Sequence, residues 1–144
     1  MIHRILFASF LLITSLGFSQ EVVEWSYSYN KEESTIAIDA KIEDGWHLYS
    51  QKINEGIGPV PTSFLFENSN AIKRIGEVEE PEPITEHDNN FGGELSYFKH
   101  DVTFNQKIKV RESSKLGVTI TYMVCNDEMC LPPTDKIITL SIDK

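Results

Sequence analysis

Two cysteines are all the chain has, and both lie in the stretch YMVCNDEMCLPP, residues 122–133. Three chemistries suit such a pair: a disulfide that staples a hairpin, a dithiol that exchanges electrons, or a clip for a soft metal ion. If the flanking segments are paired strands, Asn126, Asp127, Glu128 and Met129 make the turn between Cys125 and Cys130. The two Cα atoms can then approach to about 5–6 Å, the separation a disulfide needs. Pro132 and Pro133 fix the backbone after the second sulfur and keep that flank out of a ladder. A covalent ring of six residues adds only about 2 kcal/mol in the loop-entropy picture. A cross-link that stabilises so little is easier to explain if it is meant to open. Asp127 and Glu128 lie between the sulfurs, and negative neighbours oppose a thiolate. The pair is therefore expected to accept attack from a partner's thiolate rather than to attack unaided. Met123 and Met129 beside two thiols could suit Cu(I). However, Met123 should point away from the face of Tyr122 and Val124, and no histidine lies in the turn. The expectation is no metal, and methionines that pack. A staple and a redox pair both stay open on these residues alone. No Ser/His/Asp arrangement and no paired acids at hydrolytic spacing accompany them.

The segments that must position the pair alternate with a period of two. Trp25, Tyr27 and Tyr29 fall on one face of one strand; Ile36, Ile38, Ala40 and Ile42 do so in another. Val118, Ile120, Tyr122 and Val124 lead into the first cysteine, and Ile138, Leu140 and Ile142 follow the second. Shorter strand-like runs are WHLYS, SFLFE, YFKHDVTF and KIKV. This pattern predicts an all-β chain of seven to nine short strands, an immunoglobulin-like β-sandwich, with a small closed barrel as the other all-β solution. Residues 54–63 (NEGIGPVPTS) read as a long crossing loop. Residues 77–96 (EVEEPEPITEHDNNFGGELS) read as an acidic and then turn-forming loop, with Phe91 alone between Asn90 and Gly92. Long irregular loops in a small domain are often functional.

Residues 1–19 have the form of a secretory leader: Arg4, an apolar run from Ile5 to Leu16, then Gly17 and Ser19. The run is too short for a hydrocarbon core of about 30 Å, so cleavage near Ser19–Gln20 and an exported, soluble domain over residues 20–144 are expected. Loss of Arg4 would take the formal charge from −9 to −10. Such a surface repels phosphates and argues against nucleic-acid binding. Export also favours paired cysteines.

The cysteine stretch followed by TDKIITLSI resembles the end of the N-terminal domain of the DsbD thiol:disulfide interchange proteins. DGWHLYSQKI, residues 44–53, is similar to that family's Asp-Gly-aromatic-x-Leu-Tyr segment. EHDNNFGGE, residues 86–94, resembles its cap loop, in which a phenylalanine covers the disulfide. The three matches occur in the family's order and span nearly all of the mature chain. The resemblance implies a periplasmic relay of electrons through Cys125 and Cys130, without a bound cofactor. Cys130 corresponds to the sulfur that forms mixed disulfides. The implied partners are a membrane thiol-disulfide transporter, thioredoxin-like proteins or domains, and exported disulfide isomerases or cytochrome c maturation proteins. Phe91 corresponds to the shielding residue, with Asn89 and Asn90 beside it and Gly92 and Gly93 able to flex. Trp46, Tyr49, Met129, Pro132 and Pro133 are expected to line the site, whereas His47 is expected to be a bystander. Two departures stand out. Asn89 and Asn90 replace carboxylates, and Gly92 replaces an aromatic. Fuller members continue into a transmembrane and a thioredoxin-like domain, so a chain ending at Lys144 is expected to act as a detached module.

Overall fold

The computed structural model describes residues 21–53, 56 and 58–144. The leader read in residues 1–19 lies outside them. Eleven strands are present among the described residues: β1 Val23–Asn30, β2 Thr35–Ile42, β3 His47–Tyr49, β4 Ser63–Phe66, β5 Ile72–Glu79, β6 Ile84–Asp88, β7 Gly93–Phe98, β8 Asp101–Val110, β9 Ser114–Tyr122, β10 Val124–Cys125 and β11 Thr134–Ile142. They form three antiparallel sheets, ordered β1-β2-β8-β5, β10-β3-β7-β6 and β11-β9-β4. The fold is all-β and immunoglobulin-like.

One large core joins the sheets. The first contributes Ile36, Ile38, Val102 and Phe104, and the third contributes Leu116, Val118, Ile120 and Leu140. From the second sheet come Leu48, Phe98 and Val124. An aromatic knot lies at the centre, where the Phe104 ring stands 4.9 Å from Phe64 and 5.8 Å from Phe98. In a strand the next side chain points to the other face. His47 and Tyr49, Tyr97 and Leu95, and Cys125 therefore leave this core behind and meet on the far side of the second sheet. That face holds a separate small cluster of Tyr49, Leu95, Tyr97 and Cys125. The second sheet is thus a shelf, anchored below by the sandwich and carrying the cysteines above.

The structure corrects the strand expectations in three places. YFKHDVTF is not one run: β7 ends at Phe98 and β8 starts at Asp101. His100, with φ of 65°, makes the corner, a left-handed conformation that cannot continue a strand. KIKV is the far end of the ten-residue β8. Residues 77–96 are not a loop either, since they contain the end of β5, all of β6 and the start of β7. β6 is an edge strand whose exposed residues are mostly polar, so it carries no apolar alternation to betray it. In the 54–63 segment, the described residues before Ser63 belong to no strand.

Candidate functional site

Cys125 and Cys130 are joined by a disulfide, with Cα atoms 4.0 Å apart. This is closer than expected, and the ladder explains it. The Asn126 amide donates to the Met129 carbonyl (2.8 Å), and the Leu131 amide donates to the Val124 carbonyl (2.9 Å). These two bonds flank the cysteines, which therefore occupy a non-hydrogen-bonded antiparallel position, the narrow kind of cross-strand pair. The turn is closed by Asn126, whose Oδ1 accepts from the Glu128 and Met129 amides at 2.9 and 2.8 Å. The two sulfur-bearing residues differ in access. Cys125 is fully buried, while Cys130 is half-buried. Cys130 is thus the more accessible of the two.

Over this hairpin lies a second one. β6 and β7 pair from Ile84 opposite Tyr97 to Asp88 opposite Gly93, and the turn between them carries Asn89, Asn90, Phe91 and Gly92. Asp88 builds the turn. Its Oδ1 accepts from the amides of Asn90 (2.8 Å) and Phe91 (3.1 Å), and its own carbonyl accepts from the Gly92 amide at 2.8 Å. Gly92 has φ of 72°, a left-handed value glycine adopts without strain. Phe91 packs on the small cluster together with Ile53, Met123 and Cys130, its ring 6.0 Å from that of Tyr49 in an edge-on arrangement. The crossing loop presses from the other side. A Cβ added to Gly58 would lie 2.5 Å from the Phe91 ring. Asn90 Nδ2 donates to the Asn126 carbonyl at 3.0 Å and ties the tip of the cap to the cysteine turn.

Beneath the cap is a polar network. The Tyr49 hydroxyl donates to Asp88 Oδ2 at 2.6 Å. His47 Nε2 stands 3.2 Å from the Tyr49 oxygen and 3.5 Å from Asp88 Oδ2. Because the Tyr49 proton is committed to Asp88, the neutral imidazole is assigned its proton on Nε2, which leaves the lone pair on Nδ1. The His47 ring stacks 4.6 Å from Tyr97, whose hydroxyl donates to Glu86. Burial lowers the His47 pKa, and Asp88 opposes that shift. For Asp88 burial acts upward, yet the bonds from Tyr49, Phe91 and Asn90 outweigh it and hold the carboxyl below its ordinary range. Burial, then Asp88, raises the Tyr49 hydroxyl, and burial with Glu86 pushes Tyr97 up to about 12. A cavity of about 200 Å³ opens beside this network, between the cap and the cysteine turn, with His47, Asp88, Asn90 and Asn126 among its walls.

Of the residues expected to line the site, Tyr49 forms its floor and Phe91 its roof. Asn89 lies on the cavity wall, and Gly93 pairs with Asp88. Trp46 is placed elsewhere, packed against the large core, because it precedes β3 and points to the opposite face from His47. Met129, Pro132 and Pro133 are exposed. His47, expected to stand aside, lies within the network. Asp88, Tyr97 and Asn126 also belong to the site; each lay within a stretch already noted, the cap-loop match, the YFKHDVTF run and the cysteine turn, but none was singled out as a site residue. Asp88 could have been found as the Asx residue that opens a turn ending in glycine. Among the described residues no group of three or more His, Cys, Asp or Glu side chains is arranged to hold a metal ion.

Comparison with known proteins agrees with this architecture. A family model described as "Thiol:disulfide interchange protein DsbD, N-terminal" matches residues 18–142. The thiol:disulfide interchange protein DsbD of Pasteurella multocida is 26% identical over 141 residues, covering 96% of this chain and 23% of that protein. The chain thus spans about a quarter of the length of this curated relative. Among solved structures, the reduced N-terminal domain of Neisseria meningitidis DsbD is similar with a TM-score of 0.64, 14% identity and coverage of 85% and 87% of the two chains. The complex of that domain with the PilB N-terminal domain gives 0.62, 13% identity and coverage of 88% of each chain. The N-terminal periplasmic domain of Proteus mirabilis ScsB gives 0.59, 18% identity and coverage of 83% and 45%. At these identities the structures speak for the fold. The family match extends over most of the sequence, including both cysteines and the cap, and the chain belongs to the family of DsbD N-terminal domains.

Proposed function

We propose that this protein is an exported thiol-disulfide exchange module that relays electrons through Cys125 and Cys130. It takes them from a membrane-embedded or thioredoxin-like reductant and passes them to exported thiol proteins, such as disulfide isomerases or cytochrome c maturation proteins. The observation that carries this proposal is the asymmetry of the disulfide: Cys130 is half-buried and packs on the same small cluster as Phe91, while Cys125 is fully buried. A staple needs no movable cover. A relay does, because a reduced pair left open would lose its electrons to any passing disulfide.

The chemistry is direct sulfur exchange and uses the protein's own side chains. A partner's thiolate attacks Cys130 Sγ, the Cys125–Cys130 bond breaks, and Cys125 departs with the electron pair. The partner's second cysteine then resolves the mixed disulfide. Electrons leave by the same steps in reverse. Cys125→Ala leaves Cys130 without its resolving thiol, so reduced Cys125→Ala should trap thioredoxin-like partners as stable mixed disulfides on Cys130. Recovery of none, against a panel of oxidised thioredoxin-fold proteins and in a pull-down from exported proteins, would contradict the relay.

A further inference from the structure

The relay leaves one atom unaccounted for, the proton of Cys125. This sulfur is fully buried among Tyr49, Leu95 and Tyr97. A bare thiolate there would be a charge taken out of water with no cation against it. Each opening or closing of the disulfide must therefore move a proton to or from a place that bulk water does not reach.

His47 is Cys125's partner across the antiparallel pair of β10 and β3. Directly opposed residues share a face of the sheet, with Cβ atoms about 4.5–5.5 Å apart. The imidazole is itself buried and held by Tyr97 on its face and by Tyr49 and Asp88 at Nε2. It also lines the 200 Å³ cavity that opens to solvent between the cap and the cysteine turn. His47 thus lies opposite the sulfur-bearing residue in the ladder and on the wall of a cavity open to solvent.

We infer that His47 is the proton-transfer group for the Cys125 sulfur, with Asp88 as its electrostatic partner and the cavity as its route to solvent. When a mixed disulfide on Cys130 is resolved internally, the Cys125 S–H bond breaks and its proton passes to the imidazole. Cys125 Sγ then bonds to Cys130 Sγ, and the departing thiolate takes the electron pair of the bond it leaves. In the opposite direction a partner's thiolate bonds to Cys130. Cys125 leaves with the electron pair and receives the proton back from the imidazolium. The groups that face the ring are Tyr49 from its own strand, Glu86 and Asp88 from β6, Tyr97 and Lys99 from β7 and its end, and Asp127 from the cysteine turn. Burial, the largest influence, and Lys99 keep the resting ring neutral, while Asp88 and Asp127 favour the transient imidazolium. This inference rests on the exchange chemistry proposed above.

The test uses the reduced protein and 5,5′-dithiobis(2-nitrobenzoate), an aromatic disulfide. Its first thionitrobenzoate leaves on attack by a protein thiol. Its second leaves when Cys125 closes the ring, and Cys125→Ser, which should release only one, verifies that assignment. The second phase is followed from pH 5 to 9. In the native protein its rate should rise only below about pH 6.5 and then stay level, as expected for a basic imidazole already neutral. In His47→Gln it should be at least about tenfold slower at pH 7 and keep rising toward the ordinary thiol pKa near 8.5. Superimposable profiles would overturn the inference. Asp88→Asn supplies an independent check, since loss of its charge should move the native midpoint to lower pH, and an unmoved midpoint would also overturn it. The assay needs no cellular partner, so it can fail while the trapping experiment succeeds, and the reverse.

Discussion

At Asp88 one carboxylate accepts hydrogen bonds from the cap amides above it and from the Tyr49 hydroxyl below, so cap and floor share a single joint. The chemistry of that joint sets a pH dependence. Asp88 has its carboxyl held below the ordinary range in the folded state. A depressed carboxyl contributes stability that is present above its unfolded value, near 3.9, and is lost as pH falls through the folded value. Asn has one acceptor oxygen where Asp has two, so Asp88→Asn can keep the two cap amides on Oδ1 but places an NH₂ where Oδ2 accepts from the Tyr49 hydroxyl. That variant should be less stable than the native protein by roughly 1–2 kcal/mol at pH 7. In denaturant melts between pH 7 and 2 the two stability curves should converge at the acid end. Parallel curves would show that Asp88 does not act through its charge. Neither His47 nor Asp88 was legible as a site residue, and the reason is physical. A buried polar group is defined by the partners that satisfy it, and those partners lie on other strands. The cysteine pair and Phe91 were legible because a thiol, or a ring stranded in a polar loop, asks for an explanation wherever it occurs.

Among the strands, legibility followed burial. β2, β9 and β11 rest one face on the large core and alternate cleanly, and each was readable. β3 is buried throughout its three residues because both faces of the second sheet are covered. β6 is exposed except at Asp88. Neither gives a period; β3 was read as the short run WHLYS, whereas the β6–β7 hairpin was read as a loop. What holds that hairpin closed can be tested from two sides. Phe91→Ala removes the roof, and Gly58→Ala pushes on it from the crossing loop, where the new Cβ would clash with the ring. Both should speed reduction of the disulfide by dithiothreitol, by about 5- to 10-fold if closure is worth the roughly 1–1.4 kcal/mol of a partly buried ring. Neither should shift the thermal midpoint by more than a few degrees, since Phe91 lies outside the large core. Unchanged rates in both variants would make Phe91 a simple anchor of its loop.

In the whole molecule, stability and chemistry occupy different layers. The large core is shared by all three sheets and contains neither cysteine, whereas the disulfide lies on the outer face of the second sheet. A ring of six residues, closed across strands that already pair, should stabilise the fold by about 2 kcal/mol or less. Urea denaturation of the reduced and oxidised forms should therefore give two folded proteins differing by no more than that. Collapse of the reduced form would mean that the bond is structural. The same arithmetic links fold to function, because about 1.4 kcal/mol of preferential stabilisation moves a two-electron couple by about 30 mV. A bond so weakly coupled to the sandwich should lower the couple's potential by only some 40 mV or less on that scale. The reduction potential of the Cys125–Cys130 pair, from equilibration of the protein in glutathione and dithiothreitol buffers, is the most direct test of the relay. A value of roughly −200 to −270 mV, in the range of thioredoxin-like proteins, is the expected result. A value well below about −300 mV, where inert structural disulfides lie, would contradict the relay and leave the family's fold carrying a staple.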